Sequence, residues 1–255
     1  MSRIAEIAHQ LHTAQRNQKP IAQFSSSETF SLADAYKIQH QLIHHRISEG
    51  EHLVGIKMGF TSEAKMAQMG VSEMIIGQLT NSMQCSNGGS IQRSEFIHPR
   101  VEPEIAFRLS KDINGPIQLH EVMDYVDGIT SALEIIDSRY ENFKFSLEDV
   151  VADNCSSAAF VVGPFHDPFE VLTDLNIDLY INGKEIEKGS SNDILGNPWK
   201  SLVAASELAH KYDLKLKAGQ IVLAGAATSA HFINTHDEIT AEVEKLNSLF
   251  FRTIG

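Results

Sequence analysis

The run His98-Pro-Arg-Val-Glu-Pro-Glu-Ile-Ala-Phe107 limits the folds open to this chain, because it makes a buryable strand carry acid. Val101, Ile105 and Phe107 suit a core-facing strand, yet Glu102 and Glu104 interrupt them one residue apart. Residues i and i+2 of a strand project from the same face, so the pair aims two carboxylates at one point. A third carboxylate, Glu134, lies in the apolar run Ile129-Thr-Ser-Ala-Leu-Glu-Ile-Ile136. An unpaired buried carboxylate is costly. A fold that buries these strands therefore needs a compensating partner for the acids, and a hard divalent cation such as Mg²⁺ supplies one.

The same residues admit a plainer reading. An isolated E-x-E is more often the wet face of a half-exposed strand. Pro103 between the glutamates suggests an edge strand or a bulge, since proline cannot donate to a ladder. Bulges, though, recur beside active sites, where they re-aim side chains. Glu134 taken alone would equally form a salt bridge with a basic neighbour such as Arg139.

Composition narrows the functional classes. Acids outnumber bases 33 to 21, a net charge of −12 that disfavours nucleic acid or an anionic membrane as partner. At 255 residues, 42% of them apolar, the chain has enough material for one large core. Two cysteines, Cys85 and Cys155, form neither a disulfide framework nor a zinc pattern and fit a reducing cytosol. The start, Met-Ser-Arg-Ile-Ala-Glu, has no apolar signal core, and no run approaches membrane-spanning length. These features predict a soluble, cytoplasmic protein.

Two helices open the chain. Ile4, Ile7, Ala8 and Leu11 recur at helical spacing over residues 2–17, and a polar loop, 22–29, follows. Ser31 then caps a second helix through Ile38, Leu42, Ile43 and Ile47 that stops near Gly50. Residues 1–52 thus form a helical segment expected to pack on a catalytic region, residues 53–255. There the chain turns strand-like: 53–59, 96–109, 129–136, 158–162, 177–181, 220–224, 239–243 and 249–252. Asn182-Gly183 is a strong hairpin signal. Short helices are expected at 62–69 and 119–126, and a longer one at 198–212, with Asn197 as N-cap and Pro198 at N1. Strands predominate without regular βαβ alternation, which predicts a mixed α+β sheet or roll.

Several common chemistries are absent: no phosphate loop, no G-x-G-x-x-G, no G-x-S-x-G elbow and no H-E-x-x-H. His9, His12, His44 and His45 fall on helices whose apolar faces lie elsewhere, and read as solvated or structural. His98 differs in leading straight into the glutamate strand. Lys57 stands between glycines in Val54-Gly-Ile-Lys-Met-Gly-Phe60. It serves either as a pocket cation or as a stem lying on the sheet with its head in water.

Four segments, taken in order, carry a family resemblance. They are Gly55-Ile-Lys-Met-Gly59, the His98–Phe107 strand, Glu134-Ile-Ile-Asp-Ser-Arg-Tyr-Glu-Asn-Phe-Lys-Phe145 and Ala152-Asp-Asn-Cys-Ser-Ser157. Together they resemble the hydratase/decarboxylase branch of the fumarylacetoacetate hydrolase superfamily, from about Asp34 to the C-terminal strands. The Ile136–Phe145 stretch favours the decarboxylases over the sister hydratases. The resemblance implies a mixed β-roll and Mg²⁺ or Mn²⁺ held by Glu102, Glu104 and Glu134. It places Lys57 in the pocket as a catalytic group, with Ser157 and Thr228 near the substrate; Arg139 is a basic group available for a distal carboxylate. The implied reaction is metal-dependent decarboxylation of 2-oxohex-3-enedioate in aromatic meta-cleavage catabolism. Hydration of 2-hydroxypentadienoate or of 2-oxohept-4-ene-1,7-dioate is the alternative, and a non-catalytic binding protein of the same fold the second. A homo-oligomer, associated with the hydratase of the next step, is also implied. Two departures stand out. Members often carry an aspartate in the loop that here offers Asn81 and Ser82, and the segment Ala224–Ala230 lacks a proline commonly seen there.

Overall fold

A computed structural model of the protein describes residues 2–62 and 73–255, so the helix expected at 62–69 lies outside the described residues. Helix α1 (Arg3–Arg16) starts at Ser2, whose hydroxyl accepts from Ala5 N. Helix α2 (Leu32–Ser48) starts at Ser31, which caps Asp34 N in the same way. The strands are β1 (Leu53–Gly59), β2 (Ile75–Thr80), β3 (Gln84–Cys85), β4 (Ser90–Gln92), β5 (Arg100–Leu109), β6 (Val126–Ile136), β7 (Ser157–Val162), β8 (Asn176–Ile181), β9 (Lys184–Ser190), β10 (Ile221–Leu223), β11 (His231–Phe232), β12 (Glu238–Val243) and β13 (Leu249–Ile254).

They build two sheets. The larger runs β2-β1-β10-β5-β6-β7-β3, with β11 added to β5; the smaller runs β4-β13-β12-β8-β9. Strands β2 and β3 stand at opposite ends of the large sheet, yet only the 3-10 turn Asn81–Met83 separates them. The sheet must therefore curl until its ends meet, which makes it a roll. The seam beside β2 is stitched by a side chain: Asn154 Oδ1 accepts from Gln78 N and its Nδ2 donates to Gln78 O, both at 2.8 Å.

Strand parity explains what lies inside. Register pairs Lys57 with Leu223, Leu223 with Ala106, and Glu102 with Glu134, so all of them share one face with Glu104. That face turns inward. The opposite face buries Ile56, Ile105 and Phe107 against Ile7, Leu11, Tyr36 and Leu42 of the two helices. Farther along, Val101, Leu133 and Ile135 pack on Leu179, Ile239 and Phe251 of the small sheet. Two strands buried on both faces could not carry these three acids between them unless the acids met partners.

The hairpin forms as expected, Asn182 and Gly183 both taking positive φ (54° and 73°) between β8 and β9. The helix Pro198–Lys211 is capped by Asn197 as expected. Residues 119–125 are a 3-10 helix instead of an α-helix. His12 is buried between the two helices, with Nε2 2.8 Å from Glu49 Oε1, and so is structural rather than solvated.

Pro103 marks neither an edge nor a bulge. Strand β5 is internal, paired continuously with β6 across Pro103, and its one register shift falls at Arg108/Leu109. The missing N–H belongs to the other side, where β10 ends at Ala106 and β11 begins at Val101. In that gap the carbonyls of Ile105 and Pro103 accept from Ala224 N and Ala227 N. Proline is tolerated because no strand runs there to receive its donor.

Candidate metal centre

The roll gathers Glu102, Glu104 and Glu134 so that one carboxylate oxygen of each lies within 4.8 Å of the others. Glu104 and Glu134 are fully buried, and Glu102 is half-buried. Lys57 reaches them from β1, with Nζ 2.8 Å from Glu134 Oε2. Its side chain is only 5% exposed, so the lysine does not lead its head to water. Glu104 Oε2 accepts from Gly225 N at 2.8 Å. Gly225 has φ +101°, and a Cβ there would lie 2.0 Å from Thr61 Oγ1; only glycine lets the backbone approach this way.

Lys57 by itself does not balance the two fully buried carboxylates, Glu104 and Glu134. Burial, together with the charge on Glu134, pushes Glu104 well above the ordinary carboxylate range, and Lys57 opposes only in part. Burial likewise raises Glu134 against the pull of Lys57. Burial disfavours the Lys57 ammonium too, but Glu134 and Glu104 outweigh it and hold the lysine charged. Glu104 Oε1 and Glu134 Oε1 are buried with no hydrogen-bond partner among the described residues. Orphaned hard oxygens of this kind fit a divalent cation, and an all-carboxylate donor set suits Mg²⁺ or Mn²⁺.

A cavity of about 380 Å³ opens over this group. Its lining includes Lys57, Glu102, Arg100, Phe143, Phe145 and Ser156. Arg139, named from sequence for a distal carboxylate, is not among the lining residues. It is 1% exposed, and its guanidinium is committed to Asp153 and to the carbonyls of Asp137 and Ser157. Nor does it pair with Glu134. Ser157 is fully buried; its neighbour Ser156 faces the cavity instead. Thr228 sits beside the lining with its hydroxyl donating to Ser229 O at 3.2 Å, while Ala226 and Ser229 line the wall. His98 lies outside the lining, its ring 5.2 Å from that of Phe143 and its N–H given to Asp137. Asn81 accepts from His52 N and Ser82 from Arg46, so that loop braces the seam and does not line the cavity.

Arg139 and Asp153 have structural work in the site all the same. Asn154, Cys155 and Ser156 take consecutive positive φ values of 49°, 55° and 57°. Each such residue costs on the order of 1–3 kcal/mol and persists only where its surroundings over-determine it. The Arg139 guanidinium, donating to the Asp153 carboxylate and carbonyl on one side, and the Asn154–Gln78 stitch on the other supply that constraint. Arg139→Met is therefore expected to destabilise the protein by about 3–5 kcal/mol in denaturant unfolding. Burial raises Asp153 to about 7 even against Arg139. Without Arg139 the folded state favours protonated Asp153 still more, so the loss should be larger at pH 8 than at pH 5.5.

The fold and the buried carboxylate centre define a family. Residues 52–252 match the fumarylacetoacetate (FAA) hydrolase C-terminal family model, and the chain belongs to that family. Within it, the chain is 45% identical over 253 residues to a 4-oxalocrotonate decarboxylase from a Pseudomonas species, covering 99% of each. It is 32% identical, over 87% of each chain, to a 2-oxo-hept-4-ene-1,7-dioate hydratase from Escherichia coli. Its structure superimposes on that of 4-oxalocrotonate decarboxylase from Pseudomonas putida G7, complexed with magnesium and adipate. The TM-score there is 0.95 at 34% identity, covering 100% of this chain and 99% of that one. The mixed β-roll expected from sequence is thus the fold observed.

Proposed function

We propose that this protein is a metal-dependent carbon–carbon lyase that decarboxylates 2-oxohex-3-enedioate (4-oxalocrotonate) to 2-hydroxypenta-2,4-dienoate and CO₂, a step of aromatic meta-cleavage catabolism. The observation that carries this reading is the set of three carboxylates around a buried ammonium, under a cavity sized for a small acid. The 45% identity to a decarboxylase over nearly the whole length supports the choice of reaction. The magnesium bound by the structural neighbour supports Mg²⁺, with Mn²⁺ the alternative.

Glu102, Glu104 and Glu134 would hold the cation, which when bound supplies Lewis-acid stabilisation of charge on a 2-oxo acid. Breaking the C5–C6 bond releases C6 as CO₂. Its electron pair moves through C4 and C3 to the C2 oxygen, where a proton completes the dienol. Lys57 serves this step as a fixed positive donor, its ammonium kept charged by Glu134 and Glu104. Gly225 fixes the Glu104 carboxylate through its N–H. Phe143, Phe145 and Val150 supply apolar wall that keeps the charges strong by excluding water.

A steady-state assay with Mg²⁺ tests the reading. Release of CO₂ from 2-oxohex-3-enedioate that ceases on chelation upholds it. Hydration of 2-hydroxypenta-2,4-dienoate without CO₂ release moves the protein to the hydratases. Protons and cation compete for Glu104 and Glu134, whose folded forms hold protons above the ordinary carboxylate range. Calorimetric titration should therefore find Mg²⁺ binding tighter at pH 8 than at pH 5.5.

The proposal extends to a reducing, cytoplasmic setting, supported by the free thiols of Cys85 and Cys155. Among the described residues no helix is long and apolar enough to cross a membrane. A homo-oligomer, associating with the hydratase that takes the product, is proposed on the family resemblance, and light scattering of the purified protein tests it.

A further inference from the structure

The geometry points to Arg100 as the group that grips the distal (C6) carboxylate and so selects dicarboxylates, an inference that rests on the reaction proposed above. Arg100 stands two residues before Glu102 on the same strand, so it shares the inward face with both glutamates. It lines the cavity, and with Lys57 it is one of two cationic side chains that do so among the described residues. Lys57 is engaged by Glu134 at the carboxylate end. Arg100 is therefore the cation placed for charge at the other end. Two residues of strand rise, about 7 Å, separate it from Glu102. That is of the order of the four-bond span from C2 to C6 of a hexenedioate.

Two aromatic rings hold the guanidinium, no salt bridge to it is formed among the described residues, and Glu102 is the carboxylate whose charge acts on it. The guanidinium carbon lies 4.1 Å from the centroid of the Phe143 ring and 4.3 Å from that of Phe232. Contacts through the face of a guanidinium leave its edge N–H groups for a carboxylate fork. Arg100 lines the cavity, and its Nε, which is buried, has no hydrogen-bond partner among the described residues, so no hydrogen bond of Nε to them competes with a ligand. Phe143 and its neighbour Asn142 hold positive φ values of 57° and 58°, so a strained loop presents one of the two rings.

The role also predicts a kinetic signature. The C6 carboxylate leaves as neutral CO₂, so a salt bridge to it weakens on the way to the transition state. Arg100 then contributes to binding and not to the chemical step. Substrates lacking the distal carboxylate leave its charge unpaired, which is how a polar site rejects an analogue.

The test compares Arg100→Met with wild type, both loaded with Mg²⁺, using adipate and hexanoate as probes in calorimetric titration. Wild type should prefer adipate by about 30-fold or more, and Arg100→Met should bring that ratio close to one. With 2-oxohex-3-enedioate, KM should rise about 30- to 1,000-fold while kcat does not fall. A preference retained in Arg100→Met, or absent from wild type, overturns the assignment. Equal weakening of both probes also overturns it, by moving Arg100 to the shared carboxylate. If wild type prefers adipate through Arg100 yet never releases CO₂, the reaction fails and the dicarboxylate grip stands. Should Arg100→Met not fold, Arg100→Lys keeps charge and stem but lacks the fork. Loss of most of the preference there supports the assignment, and an unchanged preference overturns it.

Discussion

Glu104→Gln is expected to abolish decarboxylation and, in the same protein, to raise the melting temperature of the metal-free form. Glu104 is fully buried, accepts a hydrogen bond from Gly225 N and lies close to two other carboxylates. Glutamine keeps the shape and an acceptor for that N–H while removing one of three like charges. Replacing buried charge by a neutral group of similar volume is often stabilising, by about 1–4 kcal/mol. For a chain of this size that is several degrees, at roughly 2–4 °C per kcal/mol. Mg²⁺ reverses the order. At a hundred times its Kd it adds about 2.7 kcal/mol to wild type, and far less to a variant short of one ligand. Differential scanning calorimetry with and without Mg²⁺ should thus give two melting curves that cross over between wild type and variant. The pH dependence has a fixed sign. Glu104 and Glu134 have folded pKa values above their ordinary range. Metal-free wild type therefore loses stability as pH rises through and above that range, because the unfolded chain gives up its protons first. In Glu104→Gln that slope should be shallower. A metal-free variant that melts below wild type at pH 8 would refute the account.

Lys57→Met is expected to lose about 10²–10³ in turnover and about 3–5 kcal/mol in stability, since it leaves Glu134 buried beside two more carboxylates. The two losses are separable. Adding Glu134→Gln removes the stranded charge, so the double variant should recover most of the stability and none of the activity. The interaction energy in that double-mutant cycle measures the 2.8 Å pair directly. Because Glu134 is also a proposed metal ligand, the role of Lys57 in turnover is read from the single variant: loss of a purely structural lysine would lower activity only in step with the fraction unfolded.

The amino-acid sequence revealed the site's charges better than its walls. Glu102, Glu104 and Glu134 were visible because acids in apolar strands violate the usual pattern, and strand parity alone predicted that Glu102 and Glu104 share a face. Arg100 obeys the same parity, since i, i+2 and i+4 of one strand spell Arg, Glu, Glu, but an arginine at a strand start breaks no pattern and so gives no signal. Strand β2 was missed because all six of its residues are buried, leaving no alternation to detect. Ser157 was singled out where Ser156 faces the cavity. Ser157 rests on the family resemblance alone, and the three left-handed residues just before β7 are a backbone feature that no periodicity encodes. Arg139 misled through its nearness to Glu134 in the chain. Strand β6 ends at Ile136 and Arg139 turns back to Asp153, a contact that no periodicity encodes.

The closed roll also dictates when the site can exist. Strands β5 and β6 pair directly and bring Glu102 opposite Glu134 early. Lys57 joins them only once β1 has paired with β10, near the other end of the chain. Such long-range parallel pairing is among the slow events of folding. Glu102 and Glu134 lie within one strand pair, while the strand that sets Lys57 beside them is paired to residues 221–223, far along the chain. The proposed cation ligands thus all come from one strand pair, whereas the centre is complete for the proposed reaction only when β1 has set Lys57 beside them.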